Sequence, residues 1–218
     1  MTTLHMKDSR DYLALRVEEL RVEIQRRDTD ALASNTGAVY SDKGTGQGEF
    51  LLPMWGRDLI LTWPEFTGRD AQTGDPLPTM TMAMLSYYFH ISDGTPPAGT
   101  WIAFTELPDG KFYTAAFQGY TGNELTKAFG NDLDSFQAAA QLLGGRQETL
   151  GDAAFAFQAL PQVQLLAVGW QGDEDFQPSY RVLFDGNSSH HLSTDACAIL
   201  GSTLSSSLIA QRSHSDSY

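Results

Sequence analysis

The 218-residue sequence predicts an α+β fold, because stretches with helical spacing and stretches with strand character are mixed along it without the regular alternation of a doubly wound sheet. Three observations carry that reading. From Asp11 to Arg27, Leu13, Val17, Leu20 and Ile24 recur at the three-and-four spacing that lines one stripe of a helix. The apolar runs Glu49 to Pro53 and Asp58 to Trp63 flank a Trp55-Gly56-Arg57 corner and read as a hairpin. Val163 to Trp170 is almost continuously apolar, as an interior strand is.

The remaining elements follow in chain order. Residues 1–10 read as a flexible N-terminus, with Asp8 or Ser9 placed to cap the first helix. Gly44 to Gly48 is a flexible glycine-rich stretch leading into the hairpin, and Thr67 to Pro78 is a polar loop. Met80 to Ile91 is apolar almost all round, the signature of a buried helix. After a proline-containing loop from Ser92 to Gly99, the runs Trp101 to Leu107 and Phe112 to Phe117 flank Asp109-Gly110. Those two residues tolerate positive φ and predict a second hairpin.

Two helical patterns between Asn123 and Leu143 meet at Gly130, with Leu133, Phe136, Ala140 and Leu143 on the stripe of the second, and Gly144-Gly145 ends it. A strand carries Phe155 and Phe157 up to Leu160-Pro161. Ser193 or Thr194 caps a last helix reaching about Ala210, with Cys197, Leu200, Leu204 and Leu208 on its buried stripe, and 211–218 reads as a frayed tail. No repeat or linker composition interrupts the chain. The expectation is one α+β domain over 11–210, of mainly antiparallel hairpins with the N-terminal and C-terminal helices packed on the sheet.

Composition narrows the function classes. A hydrophobic content of 41% is that of a folding chain, not of a disordered one. With 27 acidic against 14 basic residues, a formal charge of −13 repels phosphate backbones, so nucleic acid is not an expected partner. Arg16, Arg21, Arg26 and Arg27 cluster early, but Glu18, Glu19 and Glu23 interleave with them as on a solvated helix face. Cys197 is the only cysteine, which excludes an internal disulfide and any iron–sulfur cluster held by this chain alone. No stretch is apolar enough to span a bilayer and no export signal is legible, so the expected location is the cytoplasm.

The sharpest chemical feature is Gly172-Asp173-Glu174-Asp175-Phe176, framed by Trp170 and by Leu183-Phe184-Asp185. Three successive carboxylates need solvent, a cation or basic partners to stay charged together. Such a tract serves a hard cation, a general acid or base, or simply a solvated turn in which Asp173 or Asp175 caps the next element. No calcium-loop spacing accompanies it. His190-His191 and His90 are candidate metal or tetrapyrrole ligands, against which stands the ordinary structural use of histidine. Nucleophile-elbow, phosphate-loop and zinc-helix motifs are missing, and Gly44-Thr45-Gly46-Gln47-Gly48 lies before a strand, not between a strand and a helix. Arg57, Trp101 and Glu106 supply an aromatic floor, a base and an acid for a small-ligand pocket, or else a core tryptophan and a surface pair.

An ordered series of segments resembles a prokaryotic family known as domain of unknown function 3786. The matching pieces are Thr36-Gly37-Ala38, Gly56-Arg57, Leu85, Tyr87-Tyr88, Trp101 to Leu107, Gly144-Gly145, Gly151-Asp152-Ala153, Leu160-Pro161, Trp170 to Phe176 and Leu183-Phe184-Asp185. They extend over most of the chain between Ala31 and Asp195. Some members carry a cysteine-rich segment like that of corrinoid proteins, so the resemblance implies a tie to corrinoid or tetrapyrrole metabolism. This chain departs from that pattern, having Cys197 alone.

The leading expectation is a module that binds a small ligand or a partner protein, with Arg57, Trp101, Glu106, Trp170, Asp173, Glu174, Asp175 and Asp185 as candidate binding residues. The tract from Trp170 to Asp185 and the Trp101 segment would form one wall. A corrinoid or other tetrapyrrole is the ligand implied by the resemblance. The alternatives are an enzyme using the acidic cluster, with or without a divalent cation, and a scaffolding subunit whose charge docks a basic partner.

Overall fold

A computed structural model describes residues 15–215 of the chain. It is α+β, with two mainly antiparallel sheets. Its residues gather into two compact units. One comprises the chain up to Pro96 with Leu160–Gln162 and His190–Leu192, and the other comprises Pro97–Ala159, Val163–Ser189 and the chain from Ser193 onward.

In the first unit, a helix α1 (15–24) and a helix α2 (Thr29–Thr36) precede a four-stranded antiparallel meander: β1 (Val39–Gly44), β2 (Gln47–Met54), β3 (Arg57–Trp63) and β4 (Gly68–Asp70). Val17, Leu20 and Ile24 are buried, as their spacing predicts, whereas Leu13 and the cap residues Asp8 and Ser9 lie outside the described residues. Asp28 caps α2 through the amide of Ala31 at 2.9 Å. Thr45-Gly46 and Trp55-Gly56 both hold positive φ at successive residues, the geometry that closes two-residue hairpins without splaying right-twisted strands. The predicted loop from Thr67 to Pro78 is therefore only partly loop, since Gly68–Asp70 adds a fourth strand to β3. Helix α3 (Thr79–Ile91) buries Leu85, Tyr88 and Phe89, and Phe89 meets Phe50 and Phe66 edge-on at 5.2 and 5.0 Å.

The second unit is a five-stranded sheet, ordered β5-β9-β8-β7-β6, with helices against it. Its strands are β5 (Trp101–Ala103), β6 (Arg146–Glu148), β7 (Ala153–Leu160), β8 (Val163–Trp170) and β9 (Ser179–Asp185). The helices are α4 (Thr114–Tyr120), α5 (Gly122–Phe129), α6 (Leu133–Leu142) and α7 (Thr194–Ser215). Phe117, Phe129, Phe136, Phe155, Tyr180 and Phe184 form the aromatic layer between sheet and helices. Cys197, Leu200, Leu204 and Leu208 are all buried on α7, which continues beyond Ala210, where a frayed tail was expected, to Ser215.

The hairpin expected around Asp109-Gly110 does not form. Asp109 does adopt positive φ (58°), but the flanking chain winds into 3-10 turns at Phe104–Glu106 and Gly110–Phe112 and then into α4. Two physical reasons decide this. Pro108 has no amide to give to a ladder. Trp101, Ile102 and Ala103 pair instead with Asp185, Phe184 and Leu183, and this frees Phe104 to stack on Phe117 at 4.1 Å with the rings 9° from parallel.

Candidate functional site

Side chains alternate across β9, which sets up two different surfaces. Tyr180 and Phe184 face the helices, where Tyr180 also donates to the Gly130 carbonyl at 3.0 Å. On the other face Trp101, Trp170 and Leu183, all part-buried, pack against a buried cluster of Ala154, Ala156, Leu166 and Val168. The Arg181 guanidinium sits 5.7 Å from the Trp170 ring, a cation–π contact at the rim of this face.

Trp101 and Trp170 thus share one face of the sheet but flank opposite ends of β9, Trp101 opposite Asp185 and Trp170 opposite Ser179, and of the acidic side chains predicted beside them Glu106, Asp173 and Asp185 are occupied with backbone amides. Asp185 is fully buried; one carboxylate oxygen accepts from Ala98 (2.8 Å) and Asn187 (2.9 Å), the other from Gly99 (2.8 Å). Glu106 accepts from Ala103 at 2.7 Å and so caps its own 3-10 turn. Asp173 accepts from the amides of Asp175 and Phe176, both at 2.8 Å, closing an Asx turn in which Glu174 and Asp175 are exposed. That turn is anchored at its start: the Gln171 amide donates to Asp152 and the Gly172 amide to Asn131, each at 2.7 Å.

Arg57 belongs to the first unit, where it pairs with Asp70 in a shallow cleft of about 340 Å³ also lined by Gly56, Asp58, Ala71 and Gln72. Asp70 is the organising group there. The Thr73 amide, Arg57 and the Gln72 amide together lower its carboxyl to about 2.

The three histidines are spread through the first unit. His191 is fully buried; its Nε2 donates to the Thr95 carbonyl at 2.7 Å, which leaves Nδ1 to accept from the Ser92 hydroxyl at 3.2 Å. His190 meets Asp93 at 2.8 Å, and that contact, with Thr95, holds Asp93 well below the usual carboxylate range. His90 lies 3.4 Å from Glu23, and burial together with Arg27 lowers its basicity. Among the described residues no group of three or more histidine, cysteine, aspartate or glutamate side chains converges as a metal site would require. Cys197 is buried and its thiol is pushed up to about 12 by that burial.

The concavity of the second unit is one that the sequence reading missed. β5 stops at Ala103, three residues into its pairing with the seven-residue β9, so the edge of β9 from Ser179 to Val182 has no neighbouring strand on that side. A cleft of about 380 Å³ opens there, floored by Phe104, Phe117, Val182 and Leu183 and rimmed by Gln118, Ser179 and Arg181. Gln118 donates through Nε2 to the Tyr180 carbonyl at 2.9 Å. Gly122 makes room for this arrangement, because a Cβ there would lie 2.2 Å from both the Tyr180 carbonyl and the Gln118 amide nitrogen. No local pattern announces the cleft. Arg181 inside an otherwise alternating strand is the single sequence signal it has.

Several of the segments that carry the family resemblance are one another's neighbours. Tyr88 donates to the Thr36 carbonyl at 2.7 Å and accepts from the Gln162 amide at 3.2 Å, beside the close approach of Gly37 to Pro161. Trp101–Ala103 is the ladder partner of Leu183–Asp185, and the Asp152 amide donates to the Gly169 carbonyl at 3.0 Å, next to the Trp170 tract. The comparison with known families agrees: the chain belongs to the family described as a domain of unknown function (DUF3786), whose model matches residues 28–207. No curated protein and no solved structure shows a significant match to it.

Proposed function

We propose that this DUF3786 chain is a binding module whose site is the cleft beside β9. The observation that supports it is the interrupted strand pairing: β5 ends while β9 continues, leaving an apolar concavity with backbone polar groups, Gln118 and Arg181 at its margin. An apolar floor with a few polar groups at the rim is the usual chemistry of a recognition pocket. Its volume, about 380 Å³, suits a small ligand or a few side chains of a partner more than a tetrapyrrole macrocycle. A corrinoid would have to lie on an open surface, such as the Trp101 and Trp170 face. The second alternative, acidic chemistry at Asp173 to Asp175, has less support, because Asp173 is committed to its own turn.

The test is side-chain NMR on the labelled protein with small aromatic carboxylates, such as 4-phenylbutyrate, and separately with cobalamin and haem. Binding in the cleft shifts the Val182 and Leu183 methyl signals, and Arg181→Ala weakens the effect of the carboxylates. Methyl signals unmoved at millimolar probe, together with visible spectra of cobalamin and haem unchanged by the protein, would refute the binding reading.

A further inference from the structure

We infer that the open edge of β1 takes a second copy of this chain, the two four-stranded sheets joining across a two-fold axis at Ser41. This goes beyond the cleft reading and concerns the other unit of the molecule. β1 is the end strand of its sheet, and among the described residues no further strand lies beside it. Ser41, Asp42, Lys43 and Gly44 are all exposed. Which backbone groups face outward follows from the ladder, because successive residues of an antiparallel strand direct their N–H and C=O groups to opposite sides. The Ala71 amide donates to the Asp58 carbonyl and the Thr62 amide to the Thr67 carbonyl, so on β3 Asp58, Ile60 and Thr62 point toward β4, and Leu59 and Leu61 toward β2. Leu59 and Leu61 stand opposite Leu52 and Phe50, which leaves the backbone groups of Glu49 and Leu51 for Ser41 and Val39. Tyr40 and Asp42 therefore direct their amides and carbonyls outward, where the sheet ends.

These two residues decide the occupant. They flank Ser41 symmetrically, so an antiparallel second β1 centred on Ser41 sets Tyr40 of each copy opposite Asp42 of the other, and each such pair exchanges both of its N–H···O bonds. The same register keeps the two Asp42 carboxylates from facing each other. On the face opposite Phe50 and Leu52, Val39, Leu51 and Ile60 lie in register across β1, β2 and β3, with Val39 61% and Leu51 40% exposed. Pairing brings Ser41 and Lys43 of the other copy beside Val39, the end of that apolar stripe.

The usual guards of a strand edge are turned aside here. An edge lysine repels strands, but the Lys43 ammonium leans back across the sheet to within 3.4 Å of Glu49, which also holds Arg69 at 3.0 Å. The bulge of β1 lies between Asp42 and Gly44, beyond the residues that pair. Each chain carries −13 and so repels its copy, but β1 contributes one aspartate and one lysine and adds nothing to that repulsion.

The experiment uses the whole chain. In the unmodified protein, exchange of the Tyr40 and Asp42 amides should slow as the concentration rises to millimolar, while Val39 and Ser41, bonded to β2, are protected throughout. Ser41→Cys tests the axis, because the two Ser41 residues form a pair without mutual hydrogen bonds, whose Cα atoms approach to about 4.5 Å, a spacing that a disulfide spans. Cys197 is buried and adds no cross-link of its own. Under mild oxidation Ser41→Cys should give disulfide dimers about tenfold faster than Thr45→Cys, an exposed position on the same hairpin away from the axis. Rising salt should strengthen the dimer by screening the repulsion between acidic chains, and Ser41→Lys should abolish it while leaving the melting temperature of the dilute protein unchanged. Exchange at Tyr40 and Asp42 that is independent of concentration, or equal cross-linking from positions 41 and 45, overturns the pairing. Protection of those amides only by an added peptide such as Val-Thr-Val-Thr-Lys-Lys would mean that the edge takes a foreign strand, which also overturns it. The Val182 and Leu183 methyl signals report on the cleft separately, so either reading can fail alone.

Discussion

Trp101 stands opposite Asp185 across the β5–β9 ladder, and the Asp185 carboxylate gathers the amides of Ala98 and Gly99 immediately upstream of that strand. One buried anion therefore fixes where the chain enters β5. Asp185→Ala removes a buried carboxylate that accepts from three backbone amides and is expected to destabilise the protein by about 3 kcal/mol, with Asp185→Asn intermediate. Denaturant unfolding monitored by tryptophan fluorescence measures it, and a loss below about 0.5 kcal/mol for the alanine variant would contradict the role given to this carboxylate.

The acidic tract makes a contrasting prediction. Glu174→Gln and Asp175→Asn should each leave the melting temperature almost unchanged, whereas Asp173→Ala removes an acceptor of two backbone amides and lowers stability by about 1 kcal/mol. Equal effects at the three positions would show that the turn is held by something other than Asp173.

Asp70 predicts a pH dependence. Its folded-state carboxyl is lowered to about 2 from the ordinary 3.8, so the stability it contributes is fully present above about pH 4 and is lost as pH falls toward 2. In Asp70→Asn that contribution is gone at every pH. Melting temperatures of the two proteins between pH 5 and 2 should therefore converge as the pH is lowered, and a constant gap would refute the assignment.

Gly122 is required by space, not by backbone conformation. A Cβ would press on the Tyr180 carbonyl and the Gln118 amide, so Gly122→Ala should cost about 1–3 kcal/mol despite alanine's better helix propensity. It should also disturb the Gln118 and Tyr180 resonances first. A stabilised variant would mean that the α5 terminus moves freely away from β9.

The Cys197 thiol, buried and raised to about 12, should not react with a thiol reagent at pH 8 until the protein unfolds. Full reaction of the native protein within minutes would place this cysteine at an opening of the helix layer.

Much of the fold is legible without coordinates. The stripes Val17, Leu20, Ile24 and Cys197, Leu200, Leu204, Leu208 are buried as their spacing requires, and Val163 to Trp170 is an interior strand. These are local regularities, in which helix and strand periods act over a few residues. Asp109-Gly110 was misleading for the same reason. A turn-forming pair permits a hairpin, but the choice lay with β9, more than seventy residues further along the chain.

The candidate site divides in the same way. Trp101 and Trp170 were recognisable as large aromatics in acidic surroundings, yet only the sheet order β5-β9-β8 sets them at opposite ends of β9 on one face, each against the same cluster of alanine, leucine and valine. The sequence alone determined an acidic α+β chain with a distinctive tract from Trp170 to Asp185. Tertiary structure decided that Asp173 and Asp185 serve the backbone, and that Gln118 reaches the Tyr180 carbonyl on β9 beyond the end of β5. The physical reason is that a carboxylate's role depends on which amides reach it, and a strand's edge depends on where its neighbour stops. Both are set by long-range pairing, which no local pattern encodes.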